Sequence, residues 1–345
     1  MSIKYKVQST KLSSEIFKDN LDFEKTALEI FRFQSNENAV YKKYIEQLKI
    51  NPGKINSIAQ IPFLPIQFFK THKVICSALP SSVFRLPSSF SSSGTTGNET
   101  SKHYVTDLKI YEQSLLKCFE LFYGNIEEYC VLALLPSYLE RKDSSLIYMT
   151  DLLIKKSNHS KSGFYLNNFN ELSETLKELE NQKQKTILLG VTYALLDFAE
   201  MFPIKLKHTI IMETGGMKGK RKEILREEVH KILSGAFAVE KIQSEYGMTE
   251  LLSQAYSKGD GIFFSPPWMK ILIRDVNDPM VLIENEKPGG INIIDLANIY
   301  SCSFIATQDV GKKIDDACLP DSQGSFEVLG RFDESDLRGC NLMIE

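Results

Sequence analysis

Apolar positions along the chain shift their period from segment to segment. Between residues 23 and 48 they fall at helical intervals: Phe23, Ala27, Ile30 and Phe31, then Tyr41, Tyr44, Ile45 and Leu48. This predicts helices. Asn51-Pro52-Gly53 breaks the pattern. IPFLPIQFF (61–69) then sets two prolines among large apolar residues, which predicts a packed, extended segment with no helix. A serine-rich stretch, SSFSSSGTTGNETSKHY (88–104), precedes the amphipathic pattern DLKIYEQSLLKCFELFYG (107–124). That pattern predicts a helix with Asp107 as N-cap and Gly124 as stop.

Short apolar runs follow, alternating with amphipathic ones. YCVLALLP (129–136), TILLGV (186–191) and HTIIMETGG (208–216) read as buried strands, and FAVEKI (237–242) as strand-like. A charged segment around 170–184, ALLDFAEMF (194–202) and KGKRKEILREEVHKILSG (218–235) read as helices between them. Strand, turn and helix in repetition predict an α/β fold, with mostly parallel sheets and flanking helices. Ligands of such folds sit at the loops leaving the carboxyl ends of the strands. From about 260 the texture changes. FFSPPWMKILIRDV, PMVLIE, GGINIIDL and GSFEVLGRF alternate between turn residues and predict a smaller β-rich subdomain. The expected division is therefore 1–258, an α/β core with N-terminal helices, and 259–345, β-rich.

Composition narrows the function classes. Of 345 residues 43% are hydrophobic, enough for a sizeable core. A net charge of −3 gives no basic field, so nucleic acid and anionic membrane surfaces are not expected partners. The longest apolar stretch, ILLGVTYALLDFA (187–199), is too short to span a bilayer, and the N-terminus carries no signal-peptide pattern. The six cysteines form no C-x-x-C pair, and the five histidines form no metal-type pair. Free thiols in a reducing cytoplasm are the expectation.

Several loops carry candidate chemistry. In SSSGTTG (91–97), glycines let backbone N–H groups approach an anion, and the hydroxyls of Ser92, Ser93, Thr95 and Thr96 can donate to phosphate oxygens. The spacing is not that of a Walker A loop, and the composition also suits a linker. A linker is out of place, however, between a packed apolar segment and a helix. In QSEYGMTE (243–250), Tyr246 can stack on a base, Thr249 can bind phosphate and Glu250 can ligate a hard cation. A surface turn around a buried tyrosine fits the same residues. Gly215-Gly216 ends a strand where a flat ring can lie against backbone. Asp309 is expected just after a strand in FIATQDVG, and Arg331 and Asp333 lie near the C-terminus.

The order of these elements resembles the adenylate-forming (acyl-activating) superfamily, over roughly residues 60–340: a hydroxyl-glycine loop, Gly-Gly, Y-G-x-T-E, T-x-D and G-R-x-D. Within it, IPFLPIQFFKTH, LLPSYLERKDSSL and GRFDESDLRGCNLM resemble the acyl-protein synthetases and the related phenylacetate–CoA ligases. The resemblance implies stacked α/β sheets plus a distorted β-barrel-like subdomain. It implies that Ser92, Ser93, Gly94, Thr95, Thr96 and Gly97 hold the ATP β- and γ-phosphates. Gly215, Gly216 and Tyr246 would frame adenine, Thr249 would touch the α-phosphate, and Glu250 would bind Mg2+. Asp309 would hold the ribose hydroxyls, helped by Arg331.

This sequence departs from the pattern in three places. The loop continues Asn98-Glu99-Thr100-Ser101-Lys102 where Pro-Lys is usual, and T-G-D reads Thr307-Gln308-Asp309. The sequence also ends soon after G-R-x-D, so the cap domain whose lysine promotes adenylation in relatives is expected to be absent. Lys70, Lys102 and Lys218 are candidates to replace that lysine, and solvated charges otherwise. The implied reaction converts a carboxylic acid, expected to be hydrophobic and of the fatty-acid class, and ATP to an acyl-adenylate and pyrophosphate. The acyl group is then expected to pass to a thiol on a protein. Cys340 is a candidate acceptor; a small packed residue beside Gly339 is the alternative. An acyl–CoA ligase and a non-catalytic nucleotide- or acyl-binding scaffold remain the other readings.

Overall fold

The computed structural model describes residues 11–79, 88–92, 100–136, 143–166, 168–215, 221, 224–283, 287–314 and 322–332. Polar caps set the first helices. α1 (Phe23–Glu37) begins at Asp22, whose carboxylate accepts the Lys25 N–H at 3.1 Å. Asn38 ends α1 and starts α2 (Ala39–Gln47), its side-chain oxygen accepting from Val40 and Tyr41. β1 (Leu64–Pro65) is extended, as the prolines require, but α3 (Phe68–Thr71) is one helical turn. The expectation of an extended segment through residue 69 is corrected here. Pro62 and Pro65 restrict the residues before them, and nothing after Pro65 forbids a helical turn.

The serine stretch opens as a strand. β2 (Ser88–Ser91) pairs antiparallel with β3 (Lys102–Val105), from Ser88↔Val105 to Ser91↔Lys102. α4 (Leu108–Tyr123) is capped by Asp107, whose carboxylate accepts the Lys109 N–H at 3.0 Å, and stops at Gly124, φ 80°. Then come β4 (Cys130–Leu134), α5 (Ser145–Ser157), β5 (Gly163–Phe164), α6 (Phe169–Asn181), β6 (Thr186–Val191), α7 (Thr192–Met201), β7 (Thr209–Thr214), α8 (Arg226–Phe237), β8 (Gln243–Tyr246), β9 (Ala255–Ser257) and β10 (Ile262–Phe264). The strands lie in the order β10-β9-β8-β7-β6-β4-β5. The five from β8 to β5 are parallel, and β9 and β10 are antiparallel. β4 and β6 are buried at every position, as a parallel sheet covered on both faces demands.

Two boundaries differ from expectation. Ile224 and Leu225 are not helical, and α8 begins at Arg226. Residues 238–242 are not a strand, because Ala238 turns left-handed (φ 52°) and ends α8. Phe237 and Ile242 are buried plugs on either side of that turn. The strand is Gln-Ser-Glu-Tyr itself.

β11 (Met269–Arg274), β12 (Gly289–Asp295), β13 (Phe304–Ile314) and β14 (Ser325–Arg331) pair antiparallel in sequence, and β1 joins β13 in parallel. Among the described residues these strands form an open sheet, with no closed barrel. The chain divides into two compact units: a central one from 85 to 266, and a terminal one drawing on residues before 85 and from 267 onward. In the terminal unit Phe304 of β13 stacks on Tyr41 at 6.1 Å and meets Phe31 and Phe63 edge-on. Buried Gln34 donates to the carbonyls of Asn298 and Ile299 and accepts the Ser303 N–H. No described helix is long and apolar enough to cross a membrane.

Candidate functional site

In the central unit, the candidate residues gather where β7 and β8 end. The two strands are parallel, with Glu213 opposite Ser244 and Thr214 opposite Glu245. Gly215 and Tyr246 each stand one residue past or at that edge, followed by Gly247, Met248, Thr249 and Glu250 in a turn. The carboxyl edge of a parallel sheet thus collects the predicted Gly215, Tyr246, Thr249 and Glu250. Gly215 takes φ 70°, a conformation that favours glycine. Its carbonyl accepts from the Thr192 hydroxyl at 2.7 Å, which also lies 2.8 Å from the Glu213 carboxylate. The Tyr246 ring packs on Phe263 with centroids 5.7 Å apart. Glu250 is buried, and Thr249 is half-buried.

Neighbouring strand residues point to opposite faces, so β7 and β8 carry a different acid on each face. On one, Glu213 meets Thr192, Ser244, Arg226 Nε at 3.4 Å and His230 Nε2 at 3.6 Å. Burial pushes its carboxyl up, but the His230 bond, the Arg226 charge and the Thr192 bond outweigh this and hold it below the ordinary range. On the other face Glu245 accepts from the Thr214 hydroxyl at 2.5 Å, and among the described residues no cation pairs with it. Burial pushes its carboxyl up to about 7.

The serine loop reaches the same region through its stems. Ser92 donates its N–H to the Ser101 carbonyl, and its hydroxyl accepts the Ser101 N–H, both at 3.0 Å. Ser92 therefore closes the neck of the loop. Ser93, Gly94, Thr95, Thr96 and Gly97 lie outside the described residues, as do Gly216, Lys218 and Cys340. His103 on β3 is fully buried, and its Nδ1–H donates to the Thr249 carbonyl at 2.9 Å. The histidine spacing in the sequence did not point to it; it lies on the buried face of β3, where exposure alternates from exposed Lys102 to buried Val105. Lys102 is exposed and Lys70 half-buried.

The terminal unit holds the remaining candidates. Asp309 does not follow a strand; it lies within β13, because pairing with β14 carries the strand on to Ile314. That pairing sets Asp309 opposite Arg331, whose Nε donates to Asp309 Oδ1 at 2.9 Å. The T-x-D and G-R-x-D motifs are thus cross-strand neighbours. Thr307 Oγ1 donates to the Ile291 carbonyl and accepts the Asp309 N–H. Arg274, missed in the sequence, donates to the carbonyls of Ile291 (2.7 Å) and Thr307 (2.6 Å) and to Asn292 Oδ1 (2.9 Å). Burial pulls its guanidinium down to about 10, so it stays charged at neutral pH. A Cβ on Gly290 would come within 2.4 Å of Arg274 Cζ, which explains that glycine.

The described cysteines Cys76, Cys118, Cys130 and Cys302 are buried thiols in no disulfide. Burial pushes the thiols of Cys76, Cys130 (to about 11) and Cys302 (to about 12) up, so they are poor nucleophiles. Among the described residues no group of three or more His, Cys, Asp or Glu side chains could hold a metal ion.

No protein-family model matches the sequence, and no curated protein does. Solved structures do match. An open conformation of 2-hydroxyisobutyryl-CoA ligase, in complex with 2-HIB-AMP and CoA, is similar at TM-score 0.68 and 11% identity, over 90% of this chain and 70% of that one. ATP-bound MatB from Rhodopseudomonas palustris is similar at TM-score 0.52 and 17% identity, over 70% of this chain and 47% of that one. At these identities the likeness shows the fold alone, one shared with 2-hydroxyisobutyryl-CoA ligase over most of this chain.

Proposed function

We propose that this protein activates a carboxylic acid with ATP, forming an acyl-adenylate and releasing pyrophosphate. The observation that carries the reading is the edge of β7 and β8. An ordered set of a glycine, a tyrosine, a hydroxyl and a buried carboxylate stands there, on the fold of adenylate-forming enzymes. Gly215 and Tyr246 are assigned to adenine, Thr249 to the α-phosphate and Asp309, held by Arg331, to the ribose hydroxyls. The stems tied by Ser92 carry the loop assigned to the β- and γ-phosphates. A buried carboxylate such as that of Glu250 suits Mg2+, which usually takes one or two carboxylates and completes its shell with phosphate oxygens and water. Bound there, Mg2+ would neutralise charge on the triphosphate.

The chemistry is a displacement at phosphorus. A carboxylate oxygen of the acid forms a bond to the α-phosphorus, and the bond from that phosphorus to the bridging oxygen breaks. Pyrophosphate leaves with the electron pair. Two anions must approach, so fixed donors such as the Thr249 hydroxyl lower the barrier by meeting charge on the α-phosphate. The acyl acceptor is a thiol outside the buried cysteines described above. CoA is the better supported choice, since the similar ligase binds CoA; a protein thiol, Cys340 among the candidates, is the second reading.

Pyrophosphate release from ATP and Mg2+ is to be measured across a panel of carboxylic acids, then with CoA or a protein thiol added. Release with a subset of acids, abolished in Glu250→Ala with the fold intact, is the expected result. Full activity of Glu250→Ala would refute the assignment of that carboxylate.

A further inference from the structure

The buried carboxyl of Glu245 is used by none of the roles above. It stands directly before Tyr246, on the last position of β8 that pairs with β7, and bonds Thr214 on the last position of β7. Its second oxygen, Oε1, lies 2.4 Å from where a Cβ on Gly247 would sit. Gly247 has no positive-φ requirement, so its backbone would accept alanine. What excludes a side chain there is the Glu245 carboxyl. One acid therefore ties the end of β7 to the start of the Tyr246–Glu250 turn and occupies the space over that turn's glycine.

We propose that Glu245 is a positioning residue of the adenylation site, its carboxyl wedged over Gly247 and bonded to Thr214 so that the Thr249 hydroxyl and Glu250 carboxylate are presented together to the triphosphate. This rests on the function proposed above. Among the described residues, the titratable groups facing Glu245 are Tyr111 and Tyr123 on α4 and Tyr256 on β9. Burial pushes all three phenols up, and the Glu245 charge pushes them further, so they stay neutral around pH 7. The neutral acid suits this pocket. Ionisation, centred at about 7, favours moving the carboxyl toward water and releasing the turn.

A double-mutant cycle tests this, read as pyrophosphate release with saturating acid. Gly247→Ala forces the carboxyl from its place, and Glu245→Ala removes it. Each is expected to lower kcat by about 10²-fold, the scale of a misplacement near 1 Å, with KM for ATP changing far less. The double variant should fall no further than either single one, whereas independent effects would multiply to about 10⁴-fold. Glu245→Gln, which keeps shape and the Thr214 bond, should restore kcat. It should also lack the decline in kcat expected of the unaltered protein as pH rises through about 7. Multiplicative losses, or the same pH profile for the unaltered and Gln proteins, would overturn the proposal. If the unaltered protein releases no pyrophosphate with any acid, the function reading fails separately. The cycle is then read in the melting temperature of the ligand-free protein, where additive shifts overturn the positioning role and a coupled pair upholds it.

Discussion

Replacing Glu245 by glutamine should change how stability depends on pH, and the size follows from the site. The carboxyl has an ordinary value of 4.5 and is raised by burial to about 7 in the folded chain. Between these values the folded state holds a proton that the unfolded state has lost. Stability from this group is therefore complete below about 4.5, falls as pH rises, and is lost above about 7. The gap, at roughly 1.4 kcal/mol per pH unit, amounts to about 3 kcal/mol. Glutamine has no such proton. The assay is urea unfolding of both proteins at pH 5, 6, 7 and 8. The stability of the unaltered protein minus that of Glu245→Gln should fall by a few kcal/mol across the series. A flat difference would refute the reasoning, as would a rise, since either means that the buried carboxyl is already ionised at low pH.

Other outcomes follow from single contacts. Arg331→Ala should cost at most about 1 kcal/mol of stability, because the arginine side chain is 73% exposed, yet raise KM for ATP; unchanged KM would remove Asp309 and Arg331 from the nucleotide site. Gly190→Ala would place a Cβ 2.7 Å from Leu195 Cγ and 2.8 Å from its Cδ2, and calorimetry should show a loss of about 1–3 kcal/mol from overpacking. Gln34→Leu leaves the buried Ser303 N–H and the carbonyls of Asn298 and Ile299 without this partner, for about 2–4 kcal/mol in denaturant unfolding.

Much of the fold was legible in local pattern. Caps at Asp107 and Gly124, and the mostly apolar runs of β4 and β6, announce themselves because capping and burial on both faces restrict residue type within a few positions. The misread stretches are those where a neighbour decides. FAVEKI looks like a strand, but Ala238 turns left-handed and only the next three residues, Gln243 to Glu245, find a parallel partner in β7. Asp309 looks like a strand end, but β14 lies opposite and extends β13.

The candidate site divides in the same way. Sequence alone determined the ordered residue types at the strand ends, since each was marked by glycine, hydroxyl and acid within a short window. Tertiary structure alone decided what holds them. His103 reaches Thr249 across 146 residues, Arg274 reaches Thr307 from another strand, and Glu245 fills the space that makes Gly247 a glycine. A motif records which groups touch a ligand. The groups that aim them are chosen by distance in space, and no periodicity along the chain encodes that.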